Sequence, residues 1–144
     1  MRYFLLISDP NNFDLSGALK DPQCHEVAYK IGNLRKPPDI GDRGLFWVCG
    51  KGIFGSWLCI SPAAIRPFPP QSVQYYKNNY MIENSNHKRV VVCGKALATP
   101  VYLRNLKSSI GVCLNQSCAP LTGIQYETIL ERIGIRKPVT DFVI

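Results

Sequence analysis

The sequence predicts an α+β domain, a mixed β pseudo-barrel flanked by short helices. Three observations carry that expectation. Residues 2–8 (Arg-Tyr-Phe-Leu-Leu-Ile-Ser) form a near-continuous apolar run, the pattern of a strand buried on both faces. Residues 45–49 and 54–60 are apolar arms around Gly50-Lys51-Gly52, whose glycines suit a tight hairpin. The first arm is apolar at both parities, which a closed or heavily covered sheet produces and a sheet with one wet face does not. Finally, the order strand, short helix, polar turn, hairpin, further strands and closing helix is a barrel-like arrangement.

Each element has its own signal. Asp9-Pro10-Asn11-Asn12 reads as a turn, followed by a short helix over 12–19 with Phe13, Leu15, Ala18 and Leu19 available to pack. Residues 27–31 read as a second strand, and Pro37-Pro38-Asp39-Ile40-Gly41-Asp42 as a tight polar connection. Residues 62–79, rich in proline and tyrosine, read as an irregular loop. Residues 81–83 and 88–93 read as an antiparallel pair with 84–87 as its turn. Thr99-Pro100 suggests an N-cap followed by proline at the first helical position, leading into a helix over 101–106. Thr122 and Gln125 have capping-box spacing; the helix they open carries Tyr126, Ile129, Leu130 and Ile133 on one face and stops at Gly134. The expected domain covers 1–135, with 136–144 as a tail or linker.

The 144 residues suit one domain. Seventeen Lys and Arg against ten Asp and Glu leave a charge of +7, which favours polyanionic partners through counterion release. The cations are scattered rather than gathered in a basic tail. No apolar run approaches the roughly 20 residues of a membrane span, and the opening run is too short for a signal-peptide core; the expectation is a cytoplasmic protein without a membrane partner. None of the six cysteines forms a Cys-x-x-Cys pair and only His25 and His87 could join them, so neither a metal nor another cofactor is expected. Cys113 and Cys118 leave a disulfide open, although a reducing cytosol favours free thiols.

Three segments carry a resemblance to a known family. Tyr3-Phe4-Leu5-Leu6-Ile7-Ser8-Asp9-Pro10 is similar to a first strand ending in a Ser-acidic-Pro turn. The block from Gly41-Asp42 through the strand 45–49 and Gly50-Lys51-Gly52 to Phe54-Gly55 resembles a Gly-Asp, apolar strand, Gly-rich turn, aromatic-Gly pattern. Asn115-Gln116-Ser117 before Pro120-Leu121-Thr122 resembles a closing segment. In this order they resemble the EVE/YTH branch of the PUA-like superfamily. One departure is Tyr29, which stands where that branch often has a tryptophan. The resemblance implies a PUA-like pseudo-barrel that reads a modified base, such as N6-methyladenine or 5-methylcytosine, in an aromatic cage. It also implies the N-terminal specificity module of a modification-dependent restriction GTPase of the McrBC type, with a GTPase or AAA+ domain on the same chain or complex.

A base inside a duplex hides its modified edge, so a reader must take single strands or flip the nucleotide out. The pocket then needs an aromatic surface, polar groups for the base edge and cations for phosphate. Trp47 suits a stacking wall and equally the core of the hairpin, Tyr29 is a second wall, and Trp57 is assigned to the core. Ser8 and Asp9 suit the base edge, and equally a helix cap. Asn115 and Gln116 suit a base edge and equally the closing of a turn. Lys51, Lys88, Arg89, Arg104 and Lys107 are the phosphate candidates.

RNA carrying a modified base is the alternative partner. A small hydrolase with a cysteine nucleophile is the enzymatic alternative, resting on the adjacent Cys24 and His25. The sequence has no deaminase signature, nucleophile elbow or phosphate loop, and the expectation is a binding module rather than an enzyme.

Overall fold

The computed structural model describes residues 1–24, 26–31, 34–78, 87–114 and 116–134. Its organising strand is β1 (Tyr3–Ser8), and the alternation of side chains along a strand explains how it is buried on both faces. Phe4 and Leu6 enter one core, with Phe13, Tyr29, Phe46 and Trp57. Leu5 enters another, with Leu45, Trp47, Ile53, Tyr126 and Ile129. β1 runs parallel to β3 (Arg43–Val48), in register from Tyr3 opposite Arg43 to Ser8 opposite Val48. On its other side lies β6 (Cys118–Leu121), antiparallel. With β2 (Glu26–Lys30), β4 (Gly52–Ile65) and β5 (Lys88–Val101), the described strands form one mixed sheet in the order β2-β5-β4-β3-β1-β6.

The sheet curls. β4 and β5 are each 14 residues long, and their pairing shifts register after Ile53, Cys59 and Ser61. Such irregularities bend a strand pair and increase its twist. The bend brings β2 back over the sheet, so that Tyr29 on β2 meets Phe46 on β3 with ring centroids 5.6 Å apart. These two strands are separated by β4 and β5 in the sheet order. This is the α+β pseudo-barrel the sequence predicts.

The hairpin turns as anticipated, with Gly50 and Gly52 at φ of 76° and 99°. Gly44 has a different purpose. A Cβ there would lie 1.9 Å from the Phe4 carbonyl oxygen and 2.4 Å from Cζ2 of Trp57, so only glycine lets β3 approach β1 beneath the indole. That indole is fixed by donation from Nε1 to the Leu45 carbonyl at 3.0 Å, which confirms Trp57 as core.

Short helices cover the sheet. α1 (Leu15–Lys20) is capped by Asp14, whose carboxylate accepts from the Gly17 amide at 3.0 Å. α2 is a single turn, Leu106–Ser109. α3 (Gly123–Arg132) has the expected capping box, with Gln125 N donating to Thr122 Oγ1 at 3.1 Å and Thr122 N to Gln125 Oε1 at 2.9 Å. Tyr126 of α3 stacks on Tyr3 at 4.2 Å, and Gly134 leaves the helix at φ 87°. The Gly41-Asp42 turn is a staple. Asp42 accepts from the amides of Arg2 and Asp39 at 2.9 and 2.8 Å and pairs with the Arg2 guanidinium at 3.1 Å.

Two local expectations are corrected. No helix begins at Thr99-Pro100; β5 runs through both to Val101. Proline is tolerated there because β2 pairing ends at Cys93 and the β4 ladder is interrupted between Ala96 and Val101, so no ladder bond needs its missing N–H. The segment expected to be loop from Pro62 instead extends β4 to Ile65 and then makes a 3-10 turn at Pro70–Tyr75. The expected strand at 81–83 and most of its turn lie outside the described residues, as does the tail 136–144.

Gly44→Ala should cost stability at the upper end of the ~1–3 kcal/mol typical of overpacking, since its Cβ would meet main chain that cannot move aside. Gly50→Ala, with open space around it, should cost only the ~1–2 kcal/mol of its positive φ. Urea midpoints at unchanged m-value measure both.

Candidate functional site

A cavity of about 220 Å³ opens where β1 ends. Its size is below the ~300–1,000 Å³ of drug-sized ligand sites, so it suits one planar ring rather than a whole nucleotide. The chain builds it through a turn immediately after Ser8. Asp9 Oδ1 accepts from the Asn11 amide at 2.9 Å, and the Asp9 carbonyl accepts from the amides of Asn12 and Phe13 at 3.0 and 3.1 Å. Aspartate favours this conformation because its short carboxylate can bond the backbone two residues ahead. The result places Asn12 and Phe13 on the cavity wall.

A second segment is laced to that turn. Asp14 N donates to the Tyr75 carbonyl and Lys77 N to the Asn12 carbonyl, each at 2.8 Å, with Phe13 and Tyr76 bridged between them. The Tyr76 hydroxyl reaches β2, donating to the Ala28 carbonyl at 3.2 Å. The Tyr75 hydroxyl donates to Asp21 Oδ2 at 2.5 Å, and this bond to a carboxylate pushes the phenol pKa up to about 12.

The wall has two chemically distinct sides. Phe13, Tyr29 and Tyr76 supply aromatic surface, with Phe13 and Tyr76 at 4.4 Å between centroids and Phe13 edge-on to Tyr29 at 6.4 Å. The series continues behind the cavity to Phe46 on one side and Phe68 on the other. Ser8, Asp9, Asn12 and Ser117 supply the polar side. The side chains of Ser8, Asn12 and Ser117 have no hydrogen-bond partner among the described residues. Lys30 adds a cation to the lining, and its charge is the main reason the nearby His87 imidazole is held below its usual pKa, with desolvation and Arg89 adding to the effect.

Three expected residues, Ser8, Asp9 and Tyr29, therefore meet at one cavity. Neither Ser8 nor Asp9 caps α1; Asp14 does. Trp47 does not belong to the cavity, a correction to its expected role as stacking wall. Its register partner is Ile7, one residue out of phase with Ser8, so the indole points into the opposite core. It is 3% exposed and packs against Tyr102 at 5.7 Å. Arg89 is also corrected. It is 1% exposed, lies over the Phe68 ring at 4.1 Å and donates to the His87 carbonyl, so its charge is turned inward rather than toward a phosphate.

Gln116 is exposed beside Ser117 without lining the cavity, and Asn115 lies outside the described residues. Lys51, Lys88, Arg104 and Lys107 are exposed. Lys51 is at the cavity's end of the sheet, two residues beyond Cys49, whose amide donates to the Ser8 carbonyl at 3.0 Å. Sequence reasoning missed Asn12, Phe13, Lys30, Tyr76 and Ser117. The first two follow the Ser-Asp-Pro turn directly, so its geometry was a usable signal; Tyr76 is distant in sequence and gave none.

Among the described residues no disulfide forms, so Cys113 and Cys118 are not joined to each other. Desolvation raises the thiol pKa of Cys24, Cys59, Cys93 and Cys118, the last to about 12; partial desolvation and then the Asp9 carboxylate raise that of Cys49. His25, the base of the Cys24-His25 alternative, lies outside the described residues.

No family model matches the chain, and no curated protein matches it in sequence. Solved structures do share its fold. Rpa0253 from Rhodopseudomonas palustris is similar with a TM-score of 0.64 at 18% identity, over 96% of this chain and 97% of that one. Atu2648 from Agrobacterium tumefaciens gives 0.61 at 15%, again over 96% and 97%. Human THYN1, solved in complex with DNA containing 5-methylcytosine, gives 0.59 at 16% identity, over 96% of this chain and all of that one. At these identities the fold is what is shared, along nearly the whole described chain.

Proposed function

We propose that this protein binds DNA by taking a modified, methylated base, flipped out of the duplex, into the cavity at the end of β1. The observation that carries the reading is the cavity's division into an aromatic side (Phe13, Tyr29, Tyr76) and a polar side (Ser8, Asp9, Asn12, Ser117), within a volume suited to one ring. The fold it shares with THYN1, whose structure holds 5-methylcytosine DNA, supports the same reading.

The energetics are consistent with it. Flipping costs a few kcal/mol, and aromatic stacking returns roughly 1–3 kcal/mol per base. Burying one methyl carbon adds about 0.8 kcal/mol, only about fourfold in affinity, so a wall that closely encloses the methyl has to supply the remaining discrimination. The Asp9 carboxylate accepts hydrogen bonds and donates none, which suits the exocyclic amine of cytosine or adenine. The net charge of +7 supplies the sequence-independent attraction to phosphate.

The raised thiol pKa values favour a binder over a cysteine hydrolase, because the nucleophile is the thiolate. Within the same reading, the domain serves a modification-dependent restriction system in the cytoplasm as its specificity module, beside a GTPase or AAA+ partner. RNA with a modified base is the second reading. The same lining would accept it, and matched DNA and RNA competitors at fixed salt separate the two.

Asp9→Asn should keep the turn, since an amide oxygen can still accept from Asn11, yet present a donor to the base amine. Affinity for the modified oligonucleotide should fall about tenfold or more, as for a lost hydrogen bond to a charged group. Trp47→Phe should leave the preference for modified over plain DNA unchanged. Fluorescence anisotropy with paired oligonucleotides checks both. A folded Asp9→Asn protein with undiminished affinity for the modified oligonucleotide would sink the cavity as the reading site. Lys88→Ala should weaken modified and plain DNA alike and flatten the salt dependence of log K by about 0.7–0.9.

A further inference from the structure

One large aromatic side chain is exposed while packed on a buried one. Tyr102, just after β5, is 54% exposed, yet its ring rests on the buried indole of Trp47 at 5.7 Å. Its main chain lies directly against the β3–β4 turn. A Cβ on Gly52 would come within 2.5 Å of Tyr102 Cα. Exposed cations adjoin this position along the chain and at the neighbouring turn. Lys51 is at the tip of the turn, Arg104 two residues beyond the tyrosine, and Lys107 on α2, whose Leu106 packs in the same core as Trp47. Acidic residues are almost absent from this part of the chain. Between Asp42 and Glu127, Glu83 is the only acid, against nine lysines and arginines.

The patch is on the same end of the sheet as the cavity. Ser8 is opposite Val48 on β3, β3 turns into β4 at Gly52, and Ile53 of β4 is opposite Val101 of β5. Tyr102 is on the Trp47 face of the sheet and the cavity on the other, and three strand spacings of about 4.8 Å, about 14 Å along the curved sheet, separate β1 from β5. That equals roughly four base steps at 3.4 Å of rise. A base held in the cavity would therefore bring a neighbour on the same strand within reach of the tyrosine.

We infer that Tyr102, with Lys51, Arg104 and Lys107, is a second nucleic-acid contact: a stacking platform for an unpaired base of the DNA strand that flanks the flipped one. A supported aromatic ring among exposed cations is the combination that single-stranded nucleic acid favours, since every base has a face to stack and every step carries a phosphate. The Trp47 indole gives the ring a fixed support, so little freedom is lost on stacking. Preference for the modification stays with the cavity; Tyr102 adds affinity irrespective of modification. This inference rests on the DNA-binding reading, and the test separates the two.

The test measures Tyr102→Ala and Tyr102→Phe against single-stranded and flipped-base duplex DNA, each with and without the modified base. Tyr102→Ala should lose about tenfold in affinity for all of them, the scale of one lost base stack, with an unchanged preference for modified DNA and an unchanged salt slope. Tyr102→Phe, which keeps the aromatic face, should bind as the parent does. 2-Aminopurine placed two to four nucleotides from the modified base should be quenched on binding by the parent and not by Tyr102→Ala. Equal thermal unfolding of the variants shows that the fold is kept. Parent-like affinity and quenching in Tyr102→Ala would overturn the inference, even with modified-base preference present. A tenfold loss in protein that shows no such preference would uphold the platform and sink the cavity reading instead.

Discussion

The pairing of β1 with β3 constrains more of this molecule than any other contact. Both strands are buried on both faces, and side chains alternate, so each residue is committed to one of two cores by its parity alone. Shifting either strand by one residue would exchange the two sets, which makes the register stringent. The glycine at position 44 belongs to that constraint. It allows β3 to come close enough to β1 for the Trp57 indole to lie across them and bond the Leu45 carbonyl. The ends of these strands then hold the groups of chemical interest at fixed places. Ser8 emerges on the cavity side, and Trp47 is kept on the other as the support for Tyr102.

The cavity itself is a product of curvature and of contacts between distant segments. β2 faces β1 only because the long β4–β5 pair bends at its irregularities. Apart from Ser117, the remaining wall comes from two irregular stretches, 9–14 and 75–78, tied to each other through main-chain hydrogen bonds. Side chains near them reinforce the tie: Lys77 Nζ donates to the Pro10 carbonyl and Asn78 Nδ2 to the Asn11 carbonyl. Irregular segments can be walls of a site because their backbone groups are satisfied by one another.

Much of the fold was legible in local sequence. The apolar run of β1, the glycines of the hairpin, and the Thr122–Gln125 capping box each encode geometry within a few residues, and each is where the sequence predicts it. The site was legible in part. Ser8 and Asp9 were accessible because they end a recognisable strand, and Tyr29 because it is an aromatic residue in a short second strand. Trp47 was misplaced because composition identifies an aromatic residue but not its parity; that needed the register of β3 against β1. The helix expected at Thr99-Pro100 lost to ladder pairing with β4, a tertiary contact that overrode a valid local signal. Tyr76 was invisible, since its position depends on closure of a loop more than sixty residues long.

The Tyr76 hydroxyl bond to the Ala28 carbonyl has an implication for the protein's behaviour at high concentration. β2 is an outer strand of the sheet, and unpaired main-chain groups along such a strand invite pairing with another molecule. The tyrosine and the stretch that carries it occupy one of those groups and stand along that border. On the far border, Pro120 interrupts the outer strand in another way, by lacking an N–H to offer. The same phenol thus lines the cavity and stands guard along the sheet's border, so its loss would lower colloidal stability.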